Sequence, residues 1–180
     1  MLELRAAASH DRDFLWELHR TALRPAVEAT WGWDEAFQLQ YFAEHFTTSD
    51  RLIVCVDGVD AGVLQFAVEG DHLLLASVAL VPEHQGRGIG TDLVNMVLAD
   101  GRRHNLPVRL QVLKVNRAKK LYERLGFEAY AESETHVHME RVGGPEWIEA
   151  DGRRTPSWSG ARSLTQCSTD AHRRRRMELQ

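Results

Sequence analysis

The chain has 180 residues, of which 43% are hydrophobic and 27% charged, with a formal net charge of −4 at neutral pH. That length holds one ordinary domain with a real core and some excess, so two large domains are excluded. No apolar run approaches the roughly 18 residues of a helical membrane span, and two cysteines are too few for a disulfide-stapled secreted scaffold.

The N-terminus, Met1-Leu-Glu-Leu-Arg5, alternates apolar with polar residues, which suits a first strand over Leu2 to Ala6 and not a secretory signal. The expectation is a cytoplasmic protein. Ser9 or Asp11 then caps an amphipathic helix with Phe14, Leu15, Leu18, Ala22 and Leu23 at helical spacing, which Pro25 is expected to interrupt or end. A second helix starts at Asp34, with Phe37, Tyr41, Phe42 and Phe46 on its apolar side.

The middle of the chain reads as an antiparallel meander. Strands over Leu52 to Val56, Ala61 to Val68 and Leu73 to Val81 are separated by turns at Asp57-Gly58 and Glu69-Gly-Asp71. A helix over Gly88 to His104 follows, with Ile89, Leu93, Val94, Val97 and Leu98 in register, then a strand over Pro107 to Val115. Asn116 caps a short helix in which Ala118, Leu121, Tyr122 and Leu125 share a face, and Gly126 is a left-handed stop. Short strands at Phe127 to Tyr130 and Thr135 to Arg141 close the core. This order predicts an α+β, or mixed α/β, domain over residues 1–142 with a mostly antiparallel central sheet and helices on both faces.

From residue 143 onward there are 7 Arg and 5 acids, which leaves 15 basic against 21 acidic residues in the body. Residues 143–180 lack periodicity and read as a disordered basic tail. Cys55, inside an apolar run, and Cys167, in the tail, are expected to be reduced thiols.

Two elements carry chemistry. In Gln85-Gly-Arg-Gly-Ile-Gly90, three glycines at alternate positions join a strand to a helix. Glycine removes the side chains that would block a ligand, and the free amides of a first helical turn favour an anion, with Arg87 adding a charged donor. A phosphate-binding Walker loop needs a Gly-Lys-Ser/Thr that is absent, and a Rossmann fingerprint needs glycine where Thr91 stands. The second element is Asn116-Arg-Ala-Lys-Lys-Leu-Tyr-Glu-Arg-Leu-Gly-Phe127, one strand downstream.

Together these resemble the GCN5-related N-acetyltransferase superfamily, whose hallmark, Gln or Arg, two residues, Gly, one residue, Gly or Ala, is met by Gln85, Gly88 and Gly90. The resemblance covers about residues 2–141 and implies an acetyl-CoA-dependent N-acetyltransferase acting on a primary amine by direct attack. It implies that Gln85, Gly86, Arg87, Gly88, Ile89, Gly90 and Thr91 bind the pyrophosphate of coenzyme A. Leu80 and Val81 would bind the pantetheine and thioester through their main chains, and Asn116 would reach the same ligand or simply cap its helix. Tyr122 would be the acid that protonates the departing thiolate, or else a core aromatic.

The acceptor is less legible. Trp31 or Trp33 could contact a cationic amine, with Glu28, Asp34 or Glu35 pairing with it, or the tryptophans cover core and Asp34 caps a helix. Glu69 and Glu83 are candidate bases near where the amine enters. His136 and His138 share a strand face without a third ligand, so no metal is implied. A non-catalytic acyl-CoA sensor is the alternative reading. Arg173–Arg176 is weak evidence for nucleic acid beside so acidic a body, no membrane partner is indicated, and the sequence is compatible with a homodimer.

Overall fold

The computed structural model describes residues 1–142, and the reading of a basic tail lies outside the described residues. The chain forms β1 (Leu2–Ala6), α1 (Arg12–Trp31), α2 (Glu35–His45), β2 (Arg51–Val56), β3 (Val59–Glu69), β4 (His72–Leu80), α3 (Ile89–Arg103), β5 (Val108–Leu113), α4 (Ala118–Arg124), β6 (Glu128–Glu132) and β7 (His136–Arg141). Single 3-10 turns precede α1 at Ser9–Asp11 and precede the glycine turn at Pro82–His84.

The seven strands of the described residues make one sheet in the order β1-β2-β3-β4-β5-β7-β6. Every pairing is antiparallel except β4 with β5. Successive residues of a strand point to opposite faces, and β2 and β3 show the division. Val54 and Leu64 join the core under α3 and α4 with Leu93, Val94 and Val97, all of them fully buried. Ile53, Cys55 and Val63 face the other way, against Leu15 and Leu18 of α1 and Phe42 of α2. Helices therefore cover both faces, as the sequence order predicts. Truncating a fully buried leucine such as Leu93 to alanine would cost about 2–5 kcal/mol.

Pro25 lies inside α1, which runs unbroken to Trp31, contrary to the expected interruption. The residue is on the exposed side of the helix, so the carbonyl that loses its amide partner faces solvent and not core. The start of α1 is fixed by Asp11, only 3% exposed. Both its oxygens are held by Arg5 of β1, at 2.8 and 2.7 Å, and one also accepts the Ala8 N–H at 2.8 Å. The Arg5 guanidinium is the main reason that the Asp11 carboxyl falls to a pKa of about 2.

Candidate functional site

The parallel partners β4 and β5 are in register only at Leu73–Val108 and Leu74–Arg109. Beyond Leu74 the two strands part. A bulge falls at this point: Gln65 pairs with Ser77 and Phe66 with Leu75, so Ala76 is the extra residue that bends β4 away. The result is a wedge opening toward the carboxyl ends of two parallel strands, a position in which α/β sheets bind ligands.

Backbone direction decides what β4 offers to the wedge. The Val81 N–H donates to the Ala61 carbonyl at 2.9 Å, which fixes Val81 and Ala79 as residues whose main-chain groups face β3. By strand alternation, Leu80 and Val78 turn theirs to the β5 side. The Leu80 carbonyl accepts the Gln85 Nε2 at 2.8 Å, so the side chain of Gln85 clips the glycine turn onto the end of β4. Of the two main-chain positions expected in the site, Leu80 faces the gap and Val81 spends its N–H elsewhere. Val78 was not foreseen. Its side chain carries no signal, and only the sheet register exposes it.

The turn has its glycines where the backbone needs them. Gly86 (φ 72°) and Gly88 (φ 85°, ψ −15°) are in the left-handed region, and a Cβ at either would meet nothing within 4 Å. Conformation, and not crowding, demands glycine, and open space lies above both. The first hydrogen bond within α3 is Asp92 N–H to Gly88 O at 3.1 Å. The N–H groups of Ile89, Gly90 and Thr91 therefore have no acceptor within the helix, and Gly88 supplies no side-chain cap. Arg87 is exposed at the same turn, and the Nδ1 of His84 is enclosed beneath it without a partner. A cradle of outward amides under empty space, at the positive end of a 15-residue helix, fits a pyrophosphate.

On the far side of the wedge, Tyr122 of α4 is 8% exposed and shares the core with Leu80, Leu110 and Val112. Its ring packs edge-on against Phe127 with centroids 5.8 Å apart. Burial pushes the phenol up to about 12, so it stays protonated at neutral pH and can donate. The Asn116 side-chain oxygen accepts the Ala118 N–H at 2.9 Å, an Asx turn one residue before the N-cap position of α4, which Arg117 holds without a side-chain cap. Gly126, at φ 77°, ends that segment.

Each acceptor residue read from the sequence has a contact in the structure, and they do not share one pocket lining: Trp33 faces His19 and Arg24, Trp31 faces His136. Glu28 pairs with Arg24 at 3.4 Å, the Trp33 indole donates to Glu35 at 2.6 Å, and Asp34 accepts the Phe37 N–H at 3.0 Å as the cap of α2. The Arg24 guanidinium already lies 5.5 Å from the Trp33 ring centroid. Trp31 is 59% exposed and touches the ring of His136 at 5.9 Å, which joins the end of α1 to the start of β7. His138 packs against Tyr130. Among the described residues no group of three His, Cys, Asp or Glu could hold a metal ion. Glu83 is exposed on the 3-10 turn beside the glycines. Glu69 is not near them: it pairs with His72 at the β3–β4 hairpin, at the other end of β4 and roughly 26 Å along the strand from Leu80.

A sequence model of the acetyltransferase (GNAT) family matches residues 12–127. Among curated proteins none matches the chain. Solved structures do. The PaiA N-acetyltransferase of Thermoplasma acidophilum, in complex with coenzyme A, shares 17% identity at a TM-score of 0.67, over 79% of this chain and 99% of that one. The ribosomal-protein-S18-alanine N-acetyltransferase of Escherichia coli shares 17% at 0.56, over 82% and 100%. Arabidopsis thaliana Naa50, in complex with the bisubstrate analogue CoA-Ac-MVNAL, shares 16% at 0.54, over 79% and 99%. At these identities the likeness is one of fold.

Proposed function

The chain belongs to the GNAT acetyltransferase family, and on that premise we propose that residues 1–142 transfer an acetyl group from acetyl-CoA to a primary amine by direct attack. The observation that carries this reading is the pairing of an outward-facing amide cradle at Gly86–Thr91 with a wedge beside β4 that begins a few residues upstream.

Acetyl-CoA supplies an activated thioester carbonyl for an uncharged amine to attack. The amides of Ile89, Gly90 and Thr91, with Arg87, hold the pyrophosphate. The Leu80 main chain, which faces the wedge, would hold the pantetheine along β4. The Val78 N–H is aimed to receive the thioester oxygen as negative charge grows on it, the kind of preorganised donor that most lowers such barriers. As the new C–N bond forms and the C–S bond breaks, the Tyr122 hydroxyl gives its proton to the sulfur, and the amine proton leaves through water.

The test is a panel of amines with acetyl-CoA, read by thiol release. Sustained release with at least one amine supports the reading. Acetyl-CoA binding without turnover on any of them would leave a sensor of the same ligand.

A further inference from the structure

We infer that the acceptor carries an anionic group, a carboxylate or a phosphate, beside its amine, and that Arg24 holds this group in the groove between α1 and the start of the glycine turn. The inference rests on the transferase reading above and names the acceptor class for that site.

The groove is lined by Arg20, Thr21, Arg24, Pro25, Glu28 and Pro82. Pro82 follows Val81 directly, so the groove borders the end of β4, and it lies on the α1 side of the sheet, opposite the face that α3 and α4 cover. An amine held here would reach the thioester from the face that the donor leaves open.

The groove's polar groups are unequally committed. The Thr21 hydroxyl donates to the Glu17 carbonyl at 2.7 Å, and Arg20 places its Nε and one terminal nitrogen on Glu17, at 3.3 and 2.8 Å. Arg24 uses only its Nε, toward Glu28 at 3.4 Å. Its Cζ lies over the Trp33 ring, 5.5 Å from the centroid, and that indole is itself fixed by the 2.6 Å bond to Glu35. A guanidinium held at Nε and over one face presents its two terminal nitrogens as a fork, the geometry that takes a carboxylate or phosphate through two parallel hydrogen bonds.

Glu28 balances Arg24 and Glu17 balances Arg20, so the groove holds no excess positive charge, and its affinity for an anion rests on the two terminal nitrogens that Arg24 leaves unbonded. The same contacts weigh against a cation on Trp33, because that aromatic face already carries Arg24 and Glu35 holds the indole in place.

The experiment uses the full chain and matched acceptors: an amino acid against its amide, and a phosphorylated amino alcohol against the parent alcohol. Charged members are expected to exceed neutral ones by about tenfold or more in kcat/KM, chiefly through KM. The amino-acid pair reports carboxylate and the other pair phosphate. In Arg24→Gln the preference should collapse to within about twofold, with acetyl-CoA affinity and thermal midpoint unchanged. Equal turnover of charged and neutral members in both pairs, or a preference that survives Arg24→Gln, overturns the anion site and leaves the transferase reading standing. Acetyl-CoA binding without thiol release from any acceptor overturns the transferase reading itself.

Discussion

The two faces of the sheet are built on different principles. On the α3–α4 side the site is made of main chain: three outward amides, two left-handed glycines and a strand edge from which β5 has withdrawn. On the α1–α2 side it is made of side chains that position one another, from Glu35 to Trp33 to Arg24 to Glu28. A main-chain site constrains residue type through φ and so leaves a motif. A side-chain site can be met by many combinations and leaves none, so only coordinates reveal which partners are already taken.

The sharpest way to break this contrast is Gly88→Glu. A side chain at φ 85° strains the turn, and its carboxylate would occupy the space above the amides. Acetyl-CoA affinity by calorimetry is expected to fall more than about 100-fold, by strain plus repulsion of a phosphate. Undiminished affinity would remove the cradle from the donor site. Tyr122→Phe comes next. Turnover should drop by about a hundredfold to ten-thousandfold, the span of general-acid contributions, with cofactor affinity nearly constant. Since the phenol is pushed up to about 12, its loss of a proton should not limit the parent enzyme until pH nears that value. Equal rates for the two proteins would return Tyr122 to a packing role.

A smaller effect separates two buried carboxylates, one on each face. Asp11 is held below the usual range by Arg5, so its stabilisation is lost as pH falls from about 4 toward 2. Asp100 of α3 is 0% exposed and its oxygens have no hydrogen-bond partner, with His104 Nδ1 at 3.7 Å. Burial pushes its carboxyl up from 3.8. The native state then binds the extra proton, and stability falls as pH rises from about 4 through the raised value. Asp100→Asn should flatten that slope and add about 1 kcal/mol at pH 8 in urea unfolding. An unchanged pH profile would refute the assignment. The least effect belongs to Gly90→Ala: φ is ordinary there and a Cβ would meet Leu121 at a comfortable 3.6 Å, so acetyl-CoA affinity should change less than about threefold.

Much of this was legible beforehand. The strand and helix order follows from periodicity, with ends displaced by one or two residues where capping or fraying decides. Asp34 caps α2 as its residue type suggests, and Asn116 makes an Asx turn one residue ahead of the α4 N-cap. What the chain concealed has a physical cause in each case. Pro25 reads as a break, but α1 continues through it, with the proline on an exposed helical face. Glu69 is near the turn in sequence, yet a nine-residue strand carries it to the other end of the sheet. Val78 contributes an N–H, which every residue but proline has, so its place depends on the register of β3 and the bulge at Ala76.

That bulge also bears on how the molecule holds together. Because β4 and β5 are joined at two residue pairs, the sheet is mechanically two leaves, β1 to β4 and β5 to β7, on a short hinge. On the proposed function, a donor lying in the wedge would act as a missing strand between the leaves. Loading with acetyl-CoA should then slow amide hydrogen exchange in β5 and β7 more than in β2 and β3, which would make the bound molecule a structural strut.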